Sequence, residues 1–139
     1  MGKKLQTIAV IIWLCEGTKA RKDKRWKNAY SYAIEVTNTD PVIIKIFVDF
    51  LRKNLRVPEE KLRGQVQIHK GDSRGEIESF WSKTTGIPVV QFNKTIIREK
   101  GNKPGKTKGT FKIRVYDKVI FEKLQSLLKL ELNEISIGV

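Results

Sequence analysis

Residues Ile8 to Cys15 (IAVIIWLC) form an unbroken apolar run of eight, ended abruptly by Glu16 and Gly17. Read as part of a helix from about Lys4 to Cys15, the run points apolar side chains in every direction, so the helix has to be buried all round. A chain of 139 residues fits one domain, 1–139, and a 40% hydrophobic share can build its core without staples. So small a domain is expected to cover this helix partly by itself and partly with a second copy. Lys3 and Lys4 before the run give it a crude likeness to a signal peptide. A membrane span needs about 20 apolar residues, however, and basic residues follow at once. The expectation is a core helix in an intracellular, cytoplasmic protein with no membrane partner. One cysteine, Cys15, and one histidine, His69, exclude an internal disulfide and a Cys/His zinc cluster.

The net charge is +13, and its placement says more than its size. Residues 18–28 carry six Lys/Arg against one Asp, and residues 94–114 carry eight against one Glu. The rest of the chain is nearly balanced, with fourteen basic and thirteen acidic residues. A surface selected only for solubility would mix the signs. Positive charge gathered in two segments that read as strand and loop, with Trp26, Phe111 and Tyr116 among it, is the composition of a phosphate-backbone footprint.

Helices are expected at four places. After the first, a second follows Asp40-Pro41, with Thr39 or Asp40 as N-cap, and carries Ile43, Ile46, Phe47, Phe50 and Leu51 inward up to about Lys53. A third opens on Ser73-Arg74-Gly75-Glu76, a capping-box pattern, buries Ile77, Phe80 and Trp81, and stops at Gly86-Ile87-Pro88. A fourth runs from Asp117 to about Leu130. Strands with one apolar and one polar face are expected at Tyr30–Thr37, Gln65–His69 and Thr110–Tyr116, and Lys100–Gly109 reads as an exposed loop between strands. The fold class is therefore α+β: a largely antiparallel sheet backed by helices. Its outer face carries Gln65, Gln67, His69, Lys112 and Arg114, side chains that can grip phosphates or read base edges.

Three stretches, in order, carry a resemblance to a known family: Ala9–Thr18 (AVIIWLCEGT), Ala33–Pro41 (AIEVTNTDP), and Thr85-Gly86-Ile87-Pro88 with Phe92-Asn93-Lys94. Together they resemble a one-motif member of the LAGLIDADG homing endonucleases over roughly residues 4–130. The resemblance implies the LAGLIDADG-type fold, with a basic sheet facing DNA. It also implies a homodimer whose motif helices pack through Ile8, Ile11, Ile12 and Cys15, and Mg²⁺-dependent cleavage of double-stranded DNA, with no small-molecule cofactor expected.

By the same resemblance Glu16, with the backbone carbonyl of Cys15, would hold Mg²⁺. Glu35 stands at a strand position near the family's active centre, where as a catalytic-site residue it would either help hold solvent or metal or repel phosphate, and Lys94, or Arg98, is the candidate basic group near the scissile phosphate. The DNA-binding set would comprise Lys19, Arg21, Lys22, Lys24, Arg25, Trp26 and Lys27 in the first basic segment, and Gln65, Gln67, His69, Arg98, Lys112 and Arg114 on the sheet. The chain departs from the motif where the helices cross: Ile11 and Cys15 occupy positions where the family has Gly or Ala. Relatives that bind DNA or RNA without cutting it, as regulators or splicing cofactors, are the alternative reading.

Overall fold

The computed structural model describes residues 2–17, 32–99 and 108–137. Helix α1 (Gly2–Glu16) is followed by strand β1 (Ala33–Asn38), helix α2 (Pro41–Lys53), strand β2 (Arg63–His69) and helix α3 (Arg74–Thr85). Strands β3 (Ile96–Arg98) and β4 (Thr110–Tyr116) and helix α4 (Lys118–Ile137) complete the order. The sheet runs β1-β4-β2-β3, antiparallel across its first three strands and parallel between β2 and β3. Its inner face (Ile34, Val36, Val66, Ile68, Phe111, Ile113 and Val115) is buried with helix residues in one apolar core. None of the helices among the described residues is long and apolar enough to cross a membrane.

Helix α1 is not buried all round within one chain. It packs against α2, α4 and β1, which bury Ala9, Val10 and Trp13 completely. Trp13 meets Phe121 of α4 edge to face at 5.7 Å. On the other side of the helix Ile8 is 41% and Leu14 39% exposed, Cys15 is exposed, and Ile11 and Ile12 are half-buried.

Helix α2 starts where expected. The Asp40 carboxylate accepts a hydrogen bond from the Val42 amide at 2.9 Å, and Pro41 takes the first helical position, where its missing N–H is not needed. Its buried face is turned by one residue from the expected one. Ile44 and Val48 join Phe47, Phe50 and Leu51 in the core, while Ile43 and Ile46 are only half-buried. Adjacent apolar residues such as Ile43 and Ile44 leave the phase of a helical stripe open by one position, or 100°. Replacing Asp40 with Ala should cost about 1 kcal/mol, read as a lower urea midpoint at unchanged m-value.

In α3 the expected capping box does not form, since Ser73 makes no side-chain capping bond. Arg74 pairs instead with Glu78 one turn on, at 3.0 Å. The Thr95 hydroxyl, followed by Arg74, holds the Glu78 carboxyl below its ordinary range. The helix ends as expected on Gly86 in the left-handed conformation (φ 74°), whose N–H returns to the Ser82 carbonyl at 2.8 Å. Ile77 and Trp81 are buried as expected, whereas Phe80 stays half-exposed.

Helix α4 runs a further seven residues past Leu130, to Ile137. The reason lies in α1. Glu131, only 3% exposed, accepts hydrogen bonds from the Gln6 amide at 3.0 Å and the Thr7 hydroxyl at 3.1 Å. Lys3 and Glu134 add an ion pair at 3.5 Å.

Candidate nucleic-acid interface

Strand register decides which side chains share the outer face. Glu35, Arg114 and Arg63 lie in one row across β1, β4 and β2. The next row is Thr37, Lys112 and Gln65, and the one after it is Thr110, Gln67 and Ile96. His69 and Arg98 stand together on β2 and β3. Thr37, Gln65, Gln67, Ile96, Thr110 and Lys112 line a shallow depression in the middle of this face.

All the sheet residues expected to bind DNA are therefore brought together: Gln65, Gln67, His69, Arg98, Lys112 and Arg114 share one surface. Lys19, Arg21, Lys22, Lys24, Arg25, Trp26 and Lys27 lie outside the described residues, as does most of the loop before Gly109. Of the aromatics placed in the footprint, Tyr116 is exposed but Phe111 is fully buried, because odd positions of β4 face the core. Arg63, Thr37, Thr110 and Ile96 belong to the face and were not singled out. Strand alternation could have found the threonines and Arg63. Ile96 needed the parallel pairing with Gln67.

Charges on the face are partly tied. The Glu35 carboxylate lies 3.6 Å from Nε of Arg114 and 3.8 Å from Nζ of Lys112. Nη1 of Arg63 donates back to the carbonyls of Glu60 at 2.6 Å and Leu62 at 3.0 Å. Gln65 donates to the Lys94 carbonyl at 2.8 Å, and Gln67 accepts from Arg98 at 3.4 Å.

Glu16 reaches this sheet from its edge. Gly17 bridges Val36 of β1, and a row then continues through Ile113 and Gly64 to Phe92. The row passes two glycines because neither site has room for a side chain. A Cβ at Gly17 would lie 2.1 Å from the Trp13 ring, and one at Gly64 2.3 Å from the Phe111 ring. The exposed Glu16 thus sits at the β1 edge, next to the strand bearing Glu35. Lys94 follows Phe92 at the opposite edge, roughly 19 Å away at ordinary strand spacing. Within one chain the structure does not bring Lys94, or Arg98 beside it on β3, to Glu16. The outward cations one strand in from Glu16's edge are Lys112 and Arg114.

No family model, curated protein or solved structure matches the chain.

Among the described residues no three His, Cys, Asp or Glu side chains gather as a metal site. One chain offers a single exposed carboxylate at the end of α1, with Cys15 in the last turn, where carbonyls point past the helix end. These are hard oxygen donors of the kind Mg²⁺ takes, but too few to hold it from one chain.

Proposed function

We propose that the chain is a homodimeric, Mg²⁺-dependent, site-specific endonuclease of double-stranded DNA, with the LAGLIDADG-type fold its residues resemble. The observation that carries this reading is a continuity. The partly uncovered stripe Ile8, Ile11, Ile12 and Cys15 on α1 leads to Glu16, and Glu16 lies at the rim of the basic sheet. Packing that stripe against its copy sets two Glu16 carboxylates side by side, with one DNA-gripping sheet on either hand.

Each part of the chain then has a task. Lys112 and Arg114 hold phosphates of the strand nearest Glu16, as charge-assisted partners. Gln65 and Gln67, in the central depression, face base edges, where a carboxamide can pair with adenine. Glu16 and the Cys15 carbonyl, from both copies, would hold Mg²⁺, which when bound lowers the pKa of a water and stabilises the leaving oxygen. Lys94 serves as a backbone-contacting cation at the far edge of the sheet.

Duplex binding should weaken steeply with salt, because each phosphate contact releases a counterion. Lys112→Gln and Arg114→Gln should each flatten the log–log slope, by less than about one because Glu35 shares both cations. A wild-type slope near zero would exclude the duplex reading.

A second reading, a dimer of the same fold that binds without cutting, is favoured by one feature. Ile11 and Cys15 are larger than the Gly or Ala of the motif at the crossing, and bulk there pushes helix axes apart.

A further inference from the structure

A carboxylate on a phosphate-binding face is a conflict, and Glu35 is one. It stands on the outer side of β1 beside Thr37, with its side chain 18% exposed. Its two cationic neighbours, Lys112 and Arg114, are alternate residues of β4 on the same face. Arg63 lies directly across from Arg114 on the other side. Three like charges so placed repel one another in the free protein. Glu35 relieves part of that repulsion from the position an incoming phosphate oxygen would take.

We infer that Glu35 is a built-in phosphate mimic that competes with duplex phosphates for Arg114 and Lys112 and so restrains the hold of the face on DNA of any sequence. The inference rests on the duplex-binding reading of this face. In the free protein the carboxylate occupies Arg114 and Lys112. A duplex held by its phosphates alone must displace it, and then keeps a negative charge close to its own backbone. That loss is similar for every sequence, so it lowers non-specific affinity without regard to bases. A target that also satisfies Gln65 and Gln67 bears the same loss, so Glu35 sets the overall affinity of the face and leaves the ratio between sequences unchanged. Glu35 thus tunes the affinity of the face through two cations that it approaches, Arg114 and Lys112.

The substitution that tests this is Glu35→Gln, which keeps shape and removes charge. Its binding to a mixed-sequence duplex is measured across a salt titration, beside wild type, Glu99→Gln, Lys112→Gln/Arg114→Gln and the triple variant. Glu99 is a strongly exposed carboxylate just past β3, 3.9 Å from Lys70, and controls for simple loss of negative charge. Glu35→Gln should bind the mixed duplex about fivefold more tightly at low salt, as for one exposed ion pair no longer competing. The salt slope should steepen by up to ~1, as the two cations, only partly engaged with phosphates in wild type, become free to exchange counterions for them. Glu99→Gln should leave the slope unchanged, and in the background lacking both cations Glu35→Gln should change nothing. Weaker binding by Glu35→Gln, or an unchanged slope, overturns the mimic while the duplex reading stands on the wild-type slope. An equal gain in the background lacking both cations overturns it too, by reducing Glu35 to a general repulsive charge. A wild type that does not hold duplex DNA removes the mimic together with the reading beneath it.

Discussion

Glu16→Gln should abolish DNA cleavage, by ~10³-fold or more, and leave duplex binding intact. The amide keeps the size of the side chain and loses the charge needed to retain Mg²⁺. Glu16 is exposed at the end of α1 and contributes nothing to the core, so folding should be unchanged. Binding should hold or tighten slightly, because a negative charge facing phosphates is gone. The measurement is cleavage of a randomised duplex library with Mg²⁺ and with chelator. Lys112→Ala should reduce cutting by ~10²-fold, as for one electrostatic partner of the reacting phosphate, and Lys94→Ala by far less. That order follows from the sheet: Lys112 is one strand in from the edge that Gly17 bridges, and Lys94 is at the other edge. Equal cutting by Glu16→Gln and wild type would sink the catalytic role. Tight duplex binding with no cutting by wild type on any library member would select the binding-only reading.

A large loss of stability should come from a single methyl group. Gly64 lies under the ring of Phe111, and an alanine Cβ would stand 2.3 Å from Cζ and 2.9 Å from Cε1 of that ring. The ring has nowhere to retreat. It is stacked on Trp81 at 5.0 Å and meets Phe92 edge-on at 5.3 Å, and both Phe111 and Trp81 are fully buried. Gly64→Ala should therefore cost about 3 kcal/mol through overpacking. Gly75→Ala is the contrast: nothing lies within 4 Å of a Cβ there, and alanine in a helix should stabilise by roughly 0.5–1 kcal/mol. Urea unfolding of both variants reads the difference directly. A Gly64→Ala midpoint equal to wild type would mean that the Trp81–Phe111–Phe92 stack is loose.

The parts of this fold legible in the sequence are those with a local cause. Strand β4 spans Thr110–Tyr116, as its alternation implies, because a two-residue period with aromatic and β-branched residues admits one reading. Asp40-Pro41 and Gly86-Ile87-Pro88 mark helix ends by chemistry confined to a few residues. What the sequence hid depends on partners far along the chain. Strand β3 is three exposed residues, too short to show alternation; its β-branched isoleucines hint at a strand, but its parallel pairing with β2 is not legible locally. Helix α4 continues past Leu130 because Glu131 finds Gln6 and Thr7, more than a hundred residues earlier. The candidate site divides in the same way. Its membership on the outer face follows from alternation, but the arrangement within it follows from register. Register places Glu35 against Arg114 and Lys112, and sets Lys94 across the sheet from Glu16.

The central claim is that the outer face of the sheet holds the duplex, and isoleucine methyl NMR during a duplex titration tests it most directly. Ile96 lies on that face in the row with Gln67 and Thr110, whereas Ile135 is an exposed isoleucine on α4. Both methyls are accessible, so burial does not separate them; only the location of the DNA does. The Ile96 signal should shift or broaden as duplex is added, and the Ile135 signal should keep its position. A shift at Ile135 with Ile96 unmoved would put the nucleic acid on the helical side and contradict the account.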